Sequence, residues 1–328
     1  MSTPLTGPTG RRGPNSSGPR VVALGGGHGL AASLRALRRV TDDVTAVVAV
    51  SDDGGSSGRL RDEFDVVPPG DLRMALAALC GDDTWGRTWS RVVQHRFAGD
   101  GQLAGHSLGN LLITALWEET GDIVTGLDWV GALLGAHGRV LPVATVPLEV
   151  VADVAGLHPE DPSVLERVVG QVSVATTRGE VVRLRLEPRD APACPEAVEA
   201  IGLADAVLLG PGSWFTSVLA PLQVRGIGQA VSEAPGRVVV ILNLEAQAGE
   251  TDGFSPQRHL EVLSRQMPSL RVDTVLADPE HVADVEALAT AARALGARLA
   301  LAPVAARDGS ARHDVDLLAS ALGGVLRP

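Results

Sequence analysis

The hydrophobic pattern alternates between two rhythms. "RVVALGGG" at 20–27 is an apolar run that ends in glycines, and "GLAASLRALRRV" at 29–40 carries apolar residues at helical spacing with arginines on the other face. "VTAVVAV" at 44–50 is a near-continuous apolar run, as expected of a strand buried on both faces. "DLRMALAALC" at 71–80 predicts a helix with Asp71 as its N-cap. "SLGNLLITALWEET" and "DIVTGLDWVGALLGA" predict two more, the first capped by Ser107, so that 71–138 is a helix-rich block.

Residues 139–190 change character. "RVLPVATVPLEVVADV" and "QVSVATTRGEVVRLRLEP" are Val- and Thr-rich runs broken by Pro and Gly, and predict strands beside the main sheet. Then the strand–helix rhythm resumes. "DAVLLGPGS", "RVVVILNLEA", "VDTVLAD" and "ARLALAPVA" read as strands, separated by helices near 214–224, 255–266, 280–295 and 314–322. The order predicts an α/β fold with a mostly parallel sheet covered by helices on both faces, plus the helix-rich region and a small strand-rich insert. The expected organisation is a tail at 1–19, one α/β domain at 20–328, and a strand-rich subdomain at 139–190.

Composition narrows the chemistry. The tail is rich in Pro, Gly and Ser, which reads as disorder, and has no apolar stretch of the secretory kind. No run of eighteen apolar residues suggests a membrane span. A net charge of -11 disfavours nucleic acid as a partner. Two distant cysteines, Cys80 and Cys194, read as reduced thiols in a cytoplasmic protein. The chain contains neither Lys nor Tyr, which excludes a Walker P-loop, Schiff-base lysine chemistry and a Tyr–Lys dehydrogenase.

In a doubly wound sheet, ligands sit beyond the carboxyl ends of the strands. Four such ends are unusual here. Gly25, Gly26 and Gly27, with His28 and Gly29, close a strand and open a helix, where backbone N–H groups and the helix dipole favour a phosphate. A tight strand–helix turn would also explain them. Asp52 ends the next strand, at the place of a ribose-binding acid. Asp53 beside it, with Asp71, offers Mg²⁺ carboxylate oxygens. Gly54, Ser56 and their neighbours have the composition of a phosphate nest, and Arg59 and Arg61 could meet phosphates as forks. A solvated loop with Asp side-chain caps is the plainer reading. Gly210, Gly212 and Ser213 form a third glycine-rich end. Asn243, Glu245, Gln247, Glu250, Thr251 and Asp252 crowd the fourth, as a ligand wall would. "GHSLG" at 105–109 matches a hydrolase nucleophile elbow, yet no apolar strand precedes it, and a helix cap at Ser107 accounts for it.

"VVALGGGHGLAASLRAL", "AVVAVSDDGGSSGRLRDEF", "PPGDLRMALAAL", "GHSLGNLLITAL", "LLGPGSWFTSVL", "AGETDGF" and "RHDVDLLA" occur in this order. Together they resemble the YvcK-type gluconeogenesis factors within the CofD-like family, named for 2-phospho-L-lactate transferase. The resemblance runs from about residue 20 to the end. It implies a Rossmann-like three-layer α/β/α fold, UDP-sugar binding of the UDP-N-acetylglucosamine kind, and a cytosolic role in cell shape, cell-wall and central carbon metabolism. It implies that Gly25–Gly27 approach the diphosphate or ribose, and that Asp52 and Asp53 bind sugar hydroxyls or a metal. By the same resemblance Asn110 faces the cleft, Gly210, Gly212 and Ser213 supply backbone donors, and Arg312 meets the diphosphate. The lack of Tyr, with Trp214 and Phe215 where a Leu–Tyr pair is usual, implies that the uracil is held differently.

The leading expectation is therefore a UDP-sugar sensor that acts by binding. A Mg²⁺-dependent transferase acting on a nucleotide-activated substrate is the alternative, motivated by the Asp pair. An NAD-dependent oxidoreductase is a weaker one, for which no catalytic acid or base presents itself. A homodimer stays open.

Overall fold

The computed structural model describes residues 18–247 and 249–327, so most of the predicted tail lies outside the described residues. Strands β1 (Val21–Gly25), β2 (Val44–Val48), β3 (Arg139–Pro142), β7 (Ala206–Leu209), β8 (Arg237–Ile241), β9 (Thr274–Ala277) and β10 (Arg298–Leu301) form one sheet in the order β10-β9-β8-β7-β1-β2-β3. All its pairings are parallel. The central strands are buried throughout, which their unbroken apolar runs require, because helices cover both faces. β4 (Glu149–Ala155), β5 (Glu166–Val169) and β6 (Glu180–Glu187) form a separate antiparallel sheet in the order β5-β4-β6. The separate sheet thus begins at β4, and the strand heading the 139–190 stretch pairs with β2 in the main sheet instead.

Seven helices position the chemistry. They are α1 (Gly27–Leu37), α2 (Gly55–Phe64), α3 (Gly70–Leu79), α4 (Thr84–Gln94), α5 (Leu108–Thr120), α6 (Ile123–Leu134) and α7 (Gln171–Ala175). The last of these belongs to the insert. Three details differ from the sequence reading. Residues 171–175, expected within a strand-forming run, are helix α7. The Gly-Ser stretch after Asp53 is not a loop but the first turns of α2, with Ser56, Ser57 and Gly58 buried. Asp71 is not an N-cap: Pro69 holds that position, and Asp71 lies in the first turn of α3. The segment over 214–219 is a π-helical turn, and an α-helix runs on from Ala220. Cys80 and Cys194 are both buried and unpaired.

Candidate functional site: a crevice of helix N-termini

β1 lies between β2 and β7. From β1 the chain winds to β2 and β3 on one side, and from β7 to β8, β9 and β10 on the other. This is the topological switch point, where two strand-end loops part and leave a crevice. The loops after β1 and β7 meet there closely. A methyl group on Gly29 would stand 2.1 Å from the Pro211 carbonyl oxygen. Gly27 takes φ +61°, which glycine adopts without steric cost. Helix α1 has no side-chain cap and no acid in its first turn. Its Gly27 N–H points instead at the Asp71 carboxylate. His28 is exposed beside this helix start.

The other motifs converge from the β2 side. Asn110 donates through Nδ2 to Ser56 Oγ at 3.0 Å, and its Oδ1 accepts from Arg73 Nε at 2.9 Å. Ser56 Oγ also lies 3.1 Å from His106 Nδ1. All four side chains are buried. Thus "SDDGGSSG", "PPGDLR" and "GHSLGN", distant in sequence, are the starts of α2, α3 and α5 tied by one polar chain. Gly109 makes room for it: a Cβ there would stand 2.8 Å from the Arg73 side chain and 2.6 Å from the Val93 carbonyl. Ser107 is a helix cap, accepting from the Asn110 N–H at 3.3 Å, and is fully buried. The residues before it form no strand, so it is no nucleophile elbow.

Asp52, Asp71 and Arg73 set the electrostatics. Burial first, then the negative charge of Asp52, pushes the Asp71 carboxyl up to about 7, against the pull of the Gly27 N–H and Arg73. Burial first, then Arg96, pushes Arg73 down to about 10, while Asp71 and Asp52 act in the opposite direction. Both shifts describe charges held with incomplete partners in a recessed place. Glycines shape it: a Cβ on Gly26 would lie 2.4 Å from Asp71 Oδ2, and one on Gly70 would lie 2.6 Å from Asp52 Oδ2.

The two neighbouring aspartates part company. Asp52 accepts from its own Gly54 N–H at 3.0 Å. Asp53 turns to the insert and accepts the Val172 N–H at 3.0 Å. Of the two, Asp52 is the one whose charge acts on Asp71. Among the described residues no group of three or more His, Cys, Asp or Glu could hold a metal ion. Mg²⁺ is commonly held by one or two carboxylates together with substrate phosphates, and the Asp52–Asp71 pair fits that use.

Several other candidates are engaged by protein partners. The Gly212 N–H and carbonyl are both taken by the Asn243 amide, at 2.9 and 2.8 Å. Ser213 Oγ donates to Glu250, whose carboxylate also accepts the Trp214 and Thr216 N–H groups at 2.9 and 3.0 Å. Glu250 thus fills the start of the π-helical turn, and burial raises its carboxyl above the ordinary range despite those donors. The Gly210 carbonyl accepts from Ser33 of α1 at 3.1 Å. Thr251 is buried and accepts the Gln247 N–H. The polar wall after β8 is therefore largely internal bracing. Trp214 and Phe215 are fully buried and present no free face for a base. Arg59 reaches the Ala104 carbonyl at 2.8 Å, and Arg61 the Glu149 carboxylate at 3.8 Å. Arg312 is 75 % exposed and pairs with Asp308 at 2.8 Å, on the loop that follows β10. Arg73 and His106 were not anticipated. Their signal was position alone, beside Asp71 and Ser107 in the two motifs.

A doubly wound parallel sheet with a glycine-lined crevice at its switch point defines a Rossmann-like class of α/β protein. Within it, this chain belongs to the 2-phospho-L-lactate transferase CofD family, whose profile matches residues 21–306, and it is a YvcK-type member. It is 52 % identical over 308 residues to a Mycobacterium tuberculosis protein named "Putative gluconeogenesis factor", covering 93 % of this chain and 90 % of the relative. It is 38 % identical over 264 residues to the "Gluconeogenesis factor" of Halalkalibacterium halodurans, covering 80 % and 79 %. A crystal structure of a UPF0052 family protein from Bacillus halodurans superposes with a TM-score of 0.82 at 32 % identity, covering 93 % of this chain and 99 % of that one. No helix among the described residues is long and apolar enough to cross a membrane.

Proposed function

We propose that the crevice binds a UDP-sugar of the UDP-N-acetylglucosamine kind, and that the protein acts as a cytoplasmic regulator of cell-wall and carbon metabolism through this binding. The observation that carries the reading is the meeting of the α1, α2 and α3 starts around Asp52, Asp71 and Arg73. Helix N-termini and a guanidinium suit a diphosphate, and a carboxylate such as Asp52 suits sugar or ribose hydroxyls. Ser56 is the one hydroxyl beside an imidazole here, and its oxygen is already buried among Asn110 Nδ2, the Ser107 N–H and His106. It offers no open line of attack, which favours binding over covalent turnover. Isothermal calorimetry with UDP-N-acetylglucosamine tests the proposal: saturable 1:1 heat is expected, and no heat at millimolar ligand would sink it.

A second reading, a Mg²⁺-dependent transferase acting on a nucleotide-activated substrate, rests on the Asp52–Asp71 pair. These two carboxylates would hold the ion, and the ion would neutralise charge developing on a phosphate. Metal-dependent release of a nucleotide from its activated donor separates this reading from the first.

A further inference from the structure

We propose that His106, Ser56 and Asn110 form a polarised hydrogen-bond relay that positions Arg73 as the phosphate-binding group of the crevice, and that a proton on His106 undoes it. The inference rests on the nucleotide-sugar reading of the site and adds the residue that meets the diphosphate and a control on it.

The direction of the relay follows from donor counting. Arg73 Nε can only donate, so the Asn110 atom 2.9 Å away must be the amide oxygen. That fixes the amide, and Asn110 Nδ2 then donates to Ser56 Oγ at 3.0 Å. The Ser107 N–H points at the same oxygen at 3.4 Å. Ser56 therefore accepts on both sides, and its single proton is left for the remaining neighbour, His106 Nδ1 at 3.1 Å. His106 Nδ1 must accept, so the ring is neutral with its proton on Nε2. Every bond in the chain runs the same way, from Arg73 through Asn110 and Ser56 to His106.

A protonated His106 would bring a third donor to an oxygen already used twice. Ser56 would lose the acceptor for its proton, and the bonds behind it would have to turn over. Arg59 and Glu63 of α2 and Arg96 beyond α4 face the imidazole. Burial and the two arginines favour the neutral ring, and Glu63 opposes them.

Arg73 is the natural output. It is 5 % exposed, a burial that guanidinium groups ordinarily accept only with a partner. Among the described residues its hydrogen bond is the one through Nε, and it joins no ion pair. Its terminal nitrogens are not among the sealed, unpartnered atoms, and the Asp71 and Asp52 carboxylates of the crevice act on its charge. A guanidinium fixed through Nε, with its fork free beside two helix starts, is arranged for phosphate oxygens.

Two variants test the relay. His106→Leu removes the acceptor, whereas His106→Asn places an amide oxygen near the Nδ1 position and cannot be protonated. Affinity for UDP-N-acetylglucosamine is measured from pH 7.5 down to pH 5, with circular dichroism as the control for folding. At pH 7.5, His106→Leu should bind about tenfold more weakly than wild type, the loss expected of one charged hydrogen bond, and His106→Asn within about twofold. Asp71 also titrates in this range, and its protonation favours an anion. The reading is therefore the ratio of wild-type to His106→Asn dissociation constants, which should rise towards pH 5 as His106 takes up its proton. A flat ratio, or wild-type affinity in His106→Leu, overturns the proposal. If the wild type binds no UDP-sugar, the nucleotide-sugar reading has failed, and the relay is judged without ligand. Exchange of the Arg73 Nε proton, identified by its loss in Arg73→Gln, should be slow in wild type and His106→Asn and fast in His106→Leu. Equal exchange in all three overturns the relay.

Discussion

Asn110 Oδ1 accepts from Arg73 Nε at 2.9 Å, and that one bond fastens the start of α5 to the start of α3. Both partners are buried, so neither can turn to water when the other is removed. Asn110→Leu keeps the volume and deletes both ends of the amide. It should cost about 3 kcal/mol, because a buried guanidinium and the Ser56 hydroxyl lose a partner together. Urea denaturation at neutral pH measures it. A cost below about 1 kcal/mol would mean that water replaces the amide easily.

Two glycines in one turn separate binding from stability. At Gly29 an added methyl meets the Pro211 backbone at 2.1 Å, and backbone cannot step aside. Gly29→Ala should cost about 1–3 kcal/mol as the β1 and β7 loops are pushed apart. At Gly26 the obstacle is the end of the Asp71 side chain at 2.4 Å, and the glycine backbone is extended at φ -160°. Gly26→Ala should therefore fold nearly normally, displace the Asp71 carboxylate and lower ligand affinity. Thermal melts and titrations on the two variants should rank them in opposite orders.

The Asp71 carboxyl gives the fold a pH signature of known sign. Its proton is held up to about 7 in the folded protein, against 3.8 ordinarily. Between those values the native state carries more protons than the unfolded chain, so stability falls as pH rises from about 4 to about 7. The span corresponds to at most about 4 kcal/mol. Asp71→Asn removes the penalty while keeping an oxygen for the Gly27 N–H. The variant should match wild type near pH 4 and exceed it near pH 8. Denaturation curves at the two pH values check this; an equal gap at both would place the slope elsewhere.

Glu250 plugs the helix start that follows β7. Glu250→Ala leaves the buried Trp214 and Thr216 N–H groups without an acceptor, at about 2–4 kcal/mol for two unsatisfied donors. Measured by chemical denaturation, a loss near zero would show that the β7 loop does not depend on this carboxylate.

The parallel sheet was legible because its strands are buried on both faces and leave unbroken apolar runs such as Val21–Leu24 and Val238–Ile241. Helix α2 was not. "GSSGRLRDEF" is poor in helix formers at its start. Its helical course is imposed by tertiary contacts: a Cβ on Gly58 would lie 2.2 Å from the Asp53 carbonyl, and Ser56 is bound by residues some fifty positions away. The site was half legible for a related reason. Glycine-rich strand ends announce a crevice, and those at 25–27 and 210–213 do meet at the switch point. Whether a polar group there is free depends on distant partners. Asn243 engages Gly212 from 31 residues away, and Glu250 engages Ser213 from 37. Local spacing could not show that these donors are taken, nor that Asp53 binds the insert while Asp52 acts on Asp71.

Hydrogen–deuterium exchange with and without UDP-N-acetylglucosamine tests most directly whether this crevice is the binding site. Binding at the switch point predicts slowed exchange at the amides of 25–29 and 54–58, the starts of α1 and α2. Saturable binding that leaves both segments unchanged, with protection confined elsewhere on the molecule, would contradict it.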